Sequence, residues 1–183
     1  MANDPVAGQQ RGRADSTLTF DLSVEIRRSP AAVFALLADI QDYEPVPFDA
    51  HVKMTKHPSA VTRVGTRWDE KVKIAPGWWM SIESVVTDFR PPGVLAMDFH
   101  GAWLCGHLAY SITPSPDGTT LHQHETVYLR WPFGWVSTRV ERRLRAQLGR
   151  RLAELRDLLE ADTRYGPTTS IARPMPVPRT GTH

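Results

Sequence analysis

One stretch of the chain limits the fold more than any other. Val136, Val140, Leu144, Leu148, Leu152, Leu155 and Leu159 recur every three or four residues, which places a single apolar stripe along a helix of over twenty residues. A helix of that length needs a broad apolar surface to cover its stripe. Upstream the apolar period changes. Leu18, Phe20, Leu22, Val24 and Ile26 alternate with Thr19, Asp21, Ser23 and Glu25, the period of a half-buried strand. Ser29-Pro30 then supplies an N-cap and a proline at the first helical position. Val33, Phe34, Leu36 and Leu37 give that short helix an apolar face, and Asp39 to Tyr43 extend it by a second helical turn closed by Pro45 and Pro47. Segments of strand character follow at about 50–56, 66–74, 78–89, 94–100, 103–112 and 119–130, broken at Ala75-Pro76-Gly77 and Pro114-Ser115-Pro116-Asp117-Gly118. The sum is an α+β chain: a curved antiparallel sheet of about seven strands, two short helices after the first strand, and a C-terminal helix that the sheet wraps.

The ends read differently from the middle. Residues 1–17 carry no periodicity, and 164–183 hold Pro167, Pro174, Pro176 and Pro178 with few apolar anchors, so both are expected to be flexible. That leaves 18–163 as one domain. Lys+Arg 22 against Asp+Glu 20 gives a formal charge of +2, too small to indicate a nucleic-acid partner. No run approaches the roughly 20 apolar residues of a membrane-spanning helix, although transient membrane contact stays open. The first residues lack the apolar core of a secretion signal. The single cysteine, Cys105, forbids an internal disulfide and any multi-cysteine zinc site. A cytoplasmic protein, monomeric or homodimeric, is the expectation.

This order of elements, with the residues that fill it, resembles the START-like or helix-grip superfamily, the polyketide cyclase/dehydrase and lipid-binding proteins of SRPBCC type. The matching segments are SVEIRRSPAAVFALLADIQDYEP, VVTDFRPPGVLAMDF, the hairpin AYSITPSPDGTTL and the long terminal helix. Many relatives carry a Tyr-Pro-x-Trp-like sequence after the second helix. Here Tyr43-Glu44-Pro45-Val46 stands in its place, with the aromatic missing or displaced to Phe48. The resemblance implies a cavity between sheet and helix that takes a hydrophobic small molecule. It implies no shared catalytic residue set and no cofactor.

Hairpin register identifies which side chains face that cavity. A three-residue loop at Ala75-Pro76-Gly77 sets Ile74 opposite Trp78, Val72 opposite Met80, Glu70 opposite Ile82 and Trp68 opposite Ser84. Pairing Thr113 with Thr120 sets Tyr110 opposite Gln123 and Leu108 opposite Glu125, so that Leu104, Leu108, Tyr110 and Ile112 share a face with Leu121, Val127 and Leu129. Met97 and Phe99 on the strand over 94–100, and Trp135, Val140, Leu144 and Leu148 at the long helix, complete the candidate lining. Glu70, Tyr110, Gln123 and Glu125 are then polar groups on an apolar face. A buried carboxylate needs a partner, water or a proton. These groups either orient a ligand's oxygens and move protons, with Glu70, Glu125 and Tyr110 as the catalytic candidates, or sit at the open cavity end, or pair with an arginine of the long helix.

Other motifs carry less. Trp68 and Trp78 are expected inward, Trp79 and Trp103 outward, and Trp131-Pro132-Phe133-Gly134-Trp135 sits at the strand-to-helix handover as a gate or as plain packing. His107, His122 and His124 share the outer face, where no third kind of ligand completes a metal shell. Cys105 reads as a half-buried filler. Arg139, Arg142, Arg143, Arg145, Arg150, Arg151 and Arg156 make the long helix basic, and pairs such as Glu141 with Arg145 fit a solvated face. No phosphate loop and no serine-nucleophile motif is present. The expected function is binding, transport or sequestration of a lipid, isoprenoid or aromatic polyketide. The alternatives are a cyclase/aromatase- or dehydratase-type enzyme in the same cavity, and a protein-interaction module.

Overall fold

The structure, a computed structural model, describes residues 16–39, 52–57, 61–75, 78–130 and 137–161. The expected tail over 164–183, residues 1–15 of the expected arm over 1–17 and the second helical turn beyond Asp39 lie outside the described residues, while Ser16 and Thr17 of that arm belong to the first strand. Seven strands and two helices follow in the order β1 (Ser16–Ile26), α1 (Pro30–Ala38), β2 (Val52–His57), β3 (Arg67–Ala75), β4 (Trp78–Arg90), β5 (Val94–Gly101), β6 (Leu104–Ser115), β7 (Gly118–Leu129) and α2 (Ser137–Ala161). The strands form one antiparallel sheet of order β1-β7-β6-β5-β4-β3-β2. This is the helix-grip arrangement, with α2 as the gripped helix.

Local chemistry accounts for the element ends. Ser29 caps α1 with its hydroxyl on the Ala32 N–H, and Pro30 needs no hydrogen bond at the first turn. The β6–β7 hairpin turns on Pro116 and Asp117, with Ser115 opposite Gly118. Gly118 has φ +153, and a Cβ there would collide with the backbone of Ile26 and Arg27. In the loop after β1, Arg28 donates from Nε to the Leu159 carbonyl at 2.7 Å and from Nη2 to the Glu160 carbonyl at 2.9 Å. Those are carbonyls in the last turn of α2, which have no partners within the helix.

Hairpin register matches the expectation at all but one pair. Val72–Met80, Glu70–Ile82, Trp68–Ser84, Thr113–Thr120, Tyr110–Gln123 and Leu108–Glu125 are all paired as expected. Ile74 is not opposite Trp78; Ala75 takes that place, with a register shift between Lys73 and Ala75. The irregularity absorbs one residue into β3 and leaves two, not three, in the connection.

Candidate functional site

Two apolar clusters occupy the space between sheet and helices. The first joins Val33, Phe34, Leu36 and Leu37 of α1 to Trp68, Val86, Leu95, Met97, Ile112 and Leu121 of the sheet and to Leu152, Leu155 and Leu159 of α2. The second joins Leu18, Phe20, Phe99, Val127 and Leu129 to Leu148, with Ile82, Leu104, Leu108 and Leu144 packed against it. Leu22 and Leu108 touch both.

The polar candidates stand at the seam between these clusters. Along β7, Gln123 and Glu125 separate Leu121 of the first cluster from Val127 of the second. Tyr110 separates Leu108 from Ile112 on β6. Arg151 stands between Leu148 and Leu152 on α2, and Glu70 follows Trp68 on the inner row of β3. Gln123 is 4% exposed and donates from Nε2 to Glu125 Oε2 at 2.8 Å. β3 and β7 are four strand spacings apart in the sheet, roughly 19 Å if it were flat. Glu70 and Glu125 nevertheless repel one another, and Arg151 acts on both. The curl of the sheet therefore brings the two carboxyls within electrostatic range of the same arginine.

Burial sets the protonation of this group. Desolvation pushes the Glu70 carboxyl above its ordinary range, and the Arg151 guanidinium opposes it. Desolvation likewise raises Glu125; the hydrogen bond from Gln123 and the charge of Arg151 oppose the rise, and Glu70 adds to it. The Tyr110 phenol is pushed up to about 12 by burial, so it keeps its proton through the whole neutral range. All three are half-buried by surface although desolvation dominates each. Trp68 adds a further donor. It is 3% exposed, and among the described residues its indole Nε1 has no hydrogen-bond partner, an arrangement that carries a desolvation penalty.

The candidate lining is partly brought together. Trp68, Glu70, Met97, Phe99, Leu108, Tyr110, Gln123, Glu125, Leu144 and Leu148 surround the two clusters and their seam. Val72 and Met80 sit further out along the β3–β4 hairpin, beside Ile82. There a cleft of about 660 Å3 is bordered by inner-row Glu70, Met80 and Ile82, by outer-row Asp69, Trp79 and Glu83, and by Gly101–Trp103. It lies where β5 ends, its last pair being Ile82 with Gly101, while β4 continues towards Trp78. The side chains of Trp78 and Val140, and the whole of Trp131–Trp135, lie outside the described residues. Arg151 is the member of this group that the sequence places only among the seven arginines of the long helix, one of which was expected to pair with the inward carboxylates. Its signal is its place on the apolar stripe, three residues after Leu148 and four before Leu155.

The outer face is built differently. Trp79 is 40% exposed. His107 bonds Asp98 at 2.7 Å and His124 bonds Asp21 at 2.6 Å, carboxylates that the sequence reading did not match to these histidines. Among the described residues no three His, Cys, Asp or Glu side chains are placed to hold a metal. Cys105 is half-buried on β6. No helix of the described residues is long and apolar enough to cross a membrane.

Residues 17–160 match the family described as polyketide cyclase / dehydrase and lipid transport, and the chain belongs to that family. Its fold is of the hydrophobic ligand-binding kind. No curated protein matches the sequence. Among solved structures the chain is similar to the di-domain ARO/CYC StfQ from the steffimycin biosynthetic pathway, with TM-score 0.66 and 14% identity over 80% of this chain and 52% of that one. It is also similar to the protein of unknown function SA2116 from Staphylococcus aureus, with TM-score 0.63 and 8% identity over 81% and 97%. A third likeness is to a protein from Rhizobium leguminosarum, with TM-score 0.60 and 15% identity over 80% and 97%. At such identities these likenesses speak for the fold.

Proposed function

We propose that this chain binds a hydrophobic small molecule, a lipid, an isoprenoid or an aromatic polyketide, between the sheet and α2, and carries or sequesters it. The observation that supports this most is the seam itself. Glu70, Tyr110, Gln123, Glu125 and Arg151 converge between two apolar clusters, where they stabilise the fold less than apolar residues of their size would. Apolar burial supplies most of the affinity, at about 25 cal/mol per Å2 before ordering penalties, and the polar seam fixes the ligand's oxygens. The cleft beside Gly101 is the route by which solvent, and a ligand, reaches Glu70. Native mass spectrometry of freshly purified protein, with organic extraction of whatever is bound, tests the reading. A released small molecule, or displacement of a hydrophobic fluorophore by candidate ligands, supports it; an empty protein that binds no such probe contradicts it.

A second reading, a cyclase/aromatase- or dehydratase-type enzyme, is favoured by one observation. Two carboxyls held towards their protonated form lie beside a phenol that keeps its proton, a set able to give and take protons on a folded poly-carbonyl chain. In that case Glu70→Gln and Glu125→Gln abolish turnover and leave ligand binding intact.

A further inference from the structure

We propose that this chain pairs with a second copy of itself through the outward face of α2, the two helices running antiparallel. The inference does not depend on what the cavity holds. Its basis is the way charge divides along that face. Arg142, Arg143 and Arg150 are exposed, and among the described residues none of them makes an ion pair. Glu141, the only carboxylate between Ser137 and Arg150, is bonded to Arg145 at 3.3 Å, and Arg145 lies over the Phe20 ring at 5.3 Å. From Glu154 onward the sign reverses. Glu154 is exposed and makes no ion pair among the described residues, Asp157 is exposed beside Arg156, and Glu160 holds Arg27. Arg27, Arg156, Asp157 and Glu160 border a cleft of about 640 Å3 with Glu25 and Asp117. That end thus carries Glu25, Asp117, Glu154, Asp157 and Glu160 against Arg27, Arg28 and Arg156, and Arg28 already serves the last carbonyls of α2.

Neither half of this pattern serves the helix itself. The helix dipole favours acids in the first turn and bases in the last, and α2 has neither. Gly149 stands midway between Arg142 and Arg143 on one side and Glu154 and Asp157 on the other, with Ala146 and Ala153 on the same outward face. A Cβ at Gly149 would meet nothing within 4 Å, so packing within one chain gives no reason for a residue that weakens a helix interior. The close approach of a second backbone does. A two-fold axis at Gly149 sets the arginines of each copy against the carboxylates of the other, and Arg150 flanks the axis one helical turn from Glu154 of its own chain. A bilayer or a nucleic acid would meet the arginines and be repelled by the acidic half of the same face; a second copy satisfies both. A contact made by one helix face is small, so the pair is expected to be weak and salt-sensitive.

Sedimentation velocity of the full chain tests this, in about 20 mM and about 500 mM salt. The expected result is a reversible dimer at low salt whose dissociation constant rises at least tenfold at high salt. Arg142→Glu/Arg143→Glu makes the face acidic throughout, and Glu154→Arg/Asp157→Arg makes it basic throughout. Each variant alone should dimerise at least tenfold more weakly than wild type, which is about 1.4 kcal/mol of association free energy. An equimolar mixture of the two should recover the dimer, because every acid then faces a base. All four positions are exposed, and a thermal melt checks that both variants fold; should either not, Arg143→Gln and Glu154→Gln give the milder form of the same comparison. A wild type that stays monomeric at low salt overturns the inference. So does a dimer that neither variant weakens, or variants that mixing does not rescue, either of which places the contact elsewhere, such as the sheet edges β1 and β2. Co-sedimentation of a monomeric wild type with phosphatidylglycerol vesicles assigns the arginines to a bilayer and overturns it as well.

Discussion

Single residues carry the sharpest physical consequences. Gly106 on β6 faces Val127 of β7 and lies under the ring of Phe99. A Cβ at this position would run into the Thr126 carbonyl oxygen and come within 2.5 Å of Phe99 Cζ. Gly106→Ala should therefore destabilise by about 3 kcal/mol, the upper end of the overpacking range, read as a lowered denaturation midpoint with unchanged slope. Glu70 and Glu125 give a prediction in pH. Their folded pKa values lie above the ordinary value of 4.5, so above that pH the folded state holds more protons than the unfolded one. Their contribution to stability therefore falls as pH rises through the window from 4.5 to the folded pKa. Glu70→Gln should gain stability at pH 8 relative to wild type and gain nothing at pH 4, as measured by urea unfolding at the two pH values. A gain of the same size at both pH values would show that burial does not raise this carboxyl.

At the level of strands and helices, the sequence was most legible where a turn fixed the count. Thr113 opposite Thr120 placed Tyr110, Gln123 and Glu125 on the inner face without further information, because a one-residue slip would have turned Leu121 and Val127 outward. The β3–β4 hairpin was legible up to Val72 and failed at Ile74. A bulge costs little and leaves no mark in the alternation of apolar residues, so the loop length alone misled. The helix α2 was plain as an apolar stripe, but its rotation was not: seven arginines lie along it, and packing against Leu148, Leu152 and Leu155 decides that Arg151 faces the carboxyls. How α2 is held at its end was equally hidden, because Arg28 reaches its carbonyls from 131 residues away in sequence. Arg28→Ala leaves those carbonyls unpartnered and should lower stability by about 1–2 kcal/mol, with amide exchange faster in the last turn of α2. Unaltered exchange there would mean that water serves the carbonyls as well as the arginine does.

For the molecule as a whole, the order of elements was sufficient to indicate a sheet wrapped on a helix, and the family match bears that out. The polar seam was only half legible. The alternation of residues set four of its members on the inner face, but their convergence depends on the curl of the sheet across β3 to β7, which no local pattern encodes. That convergence is the core of the functional reading, and it can be observed directly. With methyl groups and the carboxyl carbons of both aspartate and glutamate labelled, NMR spectra are recorded during titration with 2-naphthol. The account predicts shifts at Leu108, Leu148, Met97 and the carboxyls of Glu70 and Glu125, with the outer-face Asp21 and Asp98 carboxyls unmoved. Shifts confined to the outer face, or none at all at saturating ligand, would contradict it.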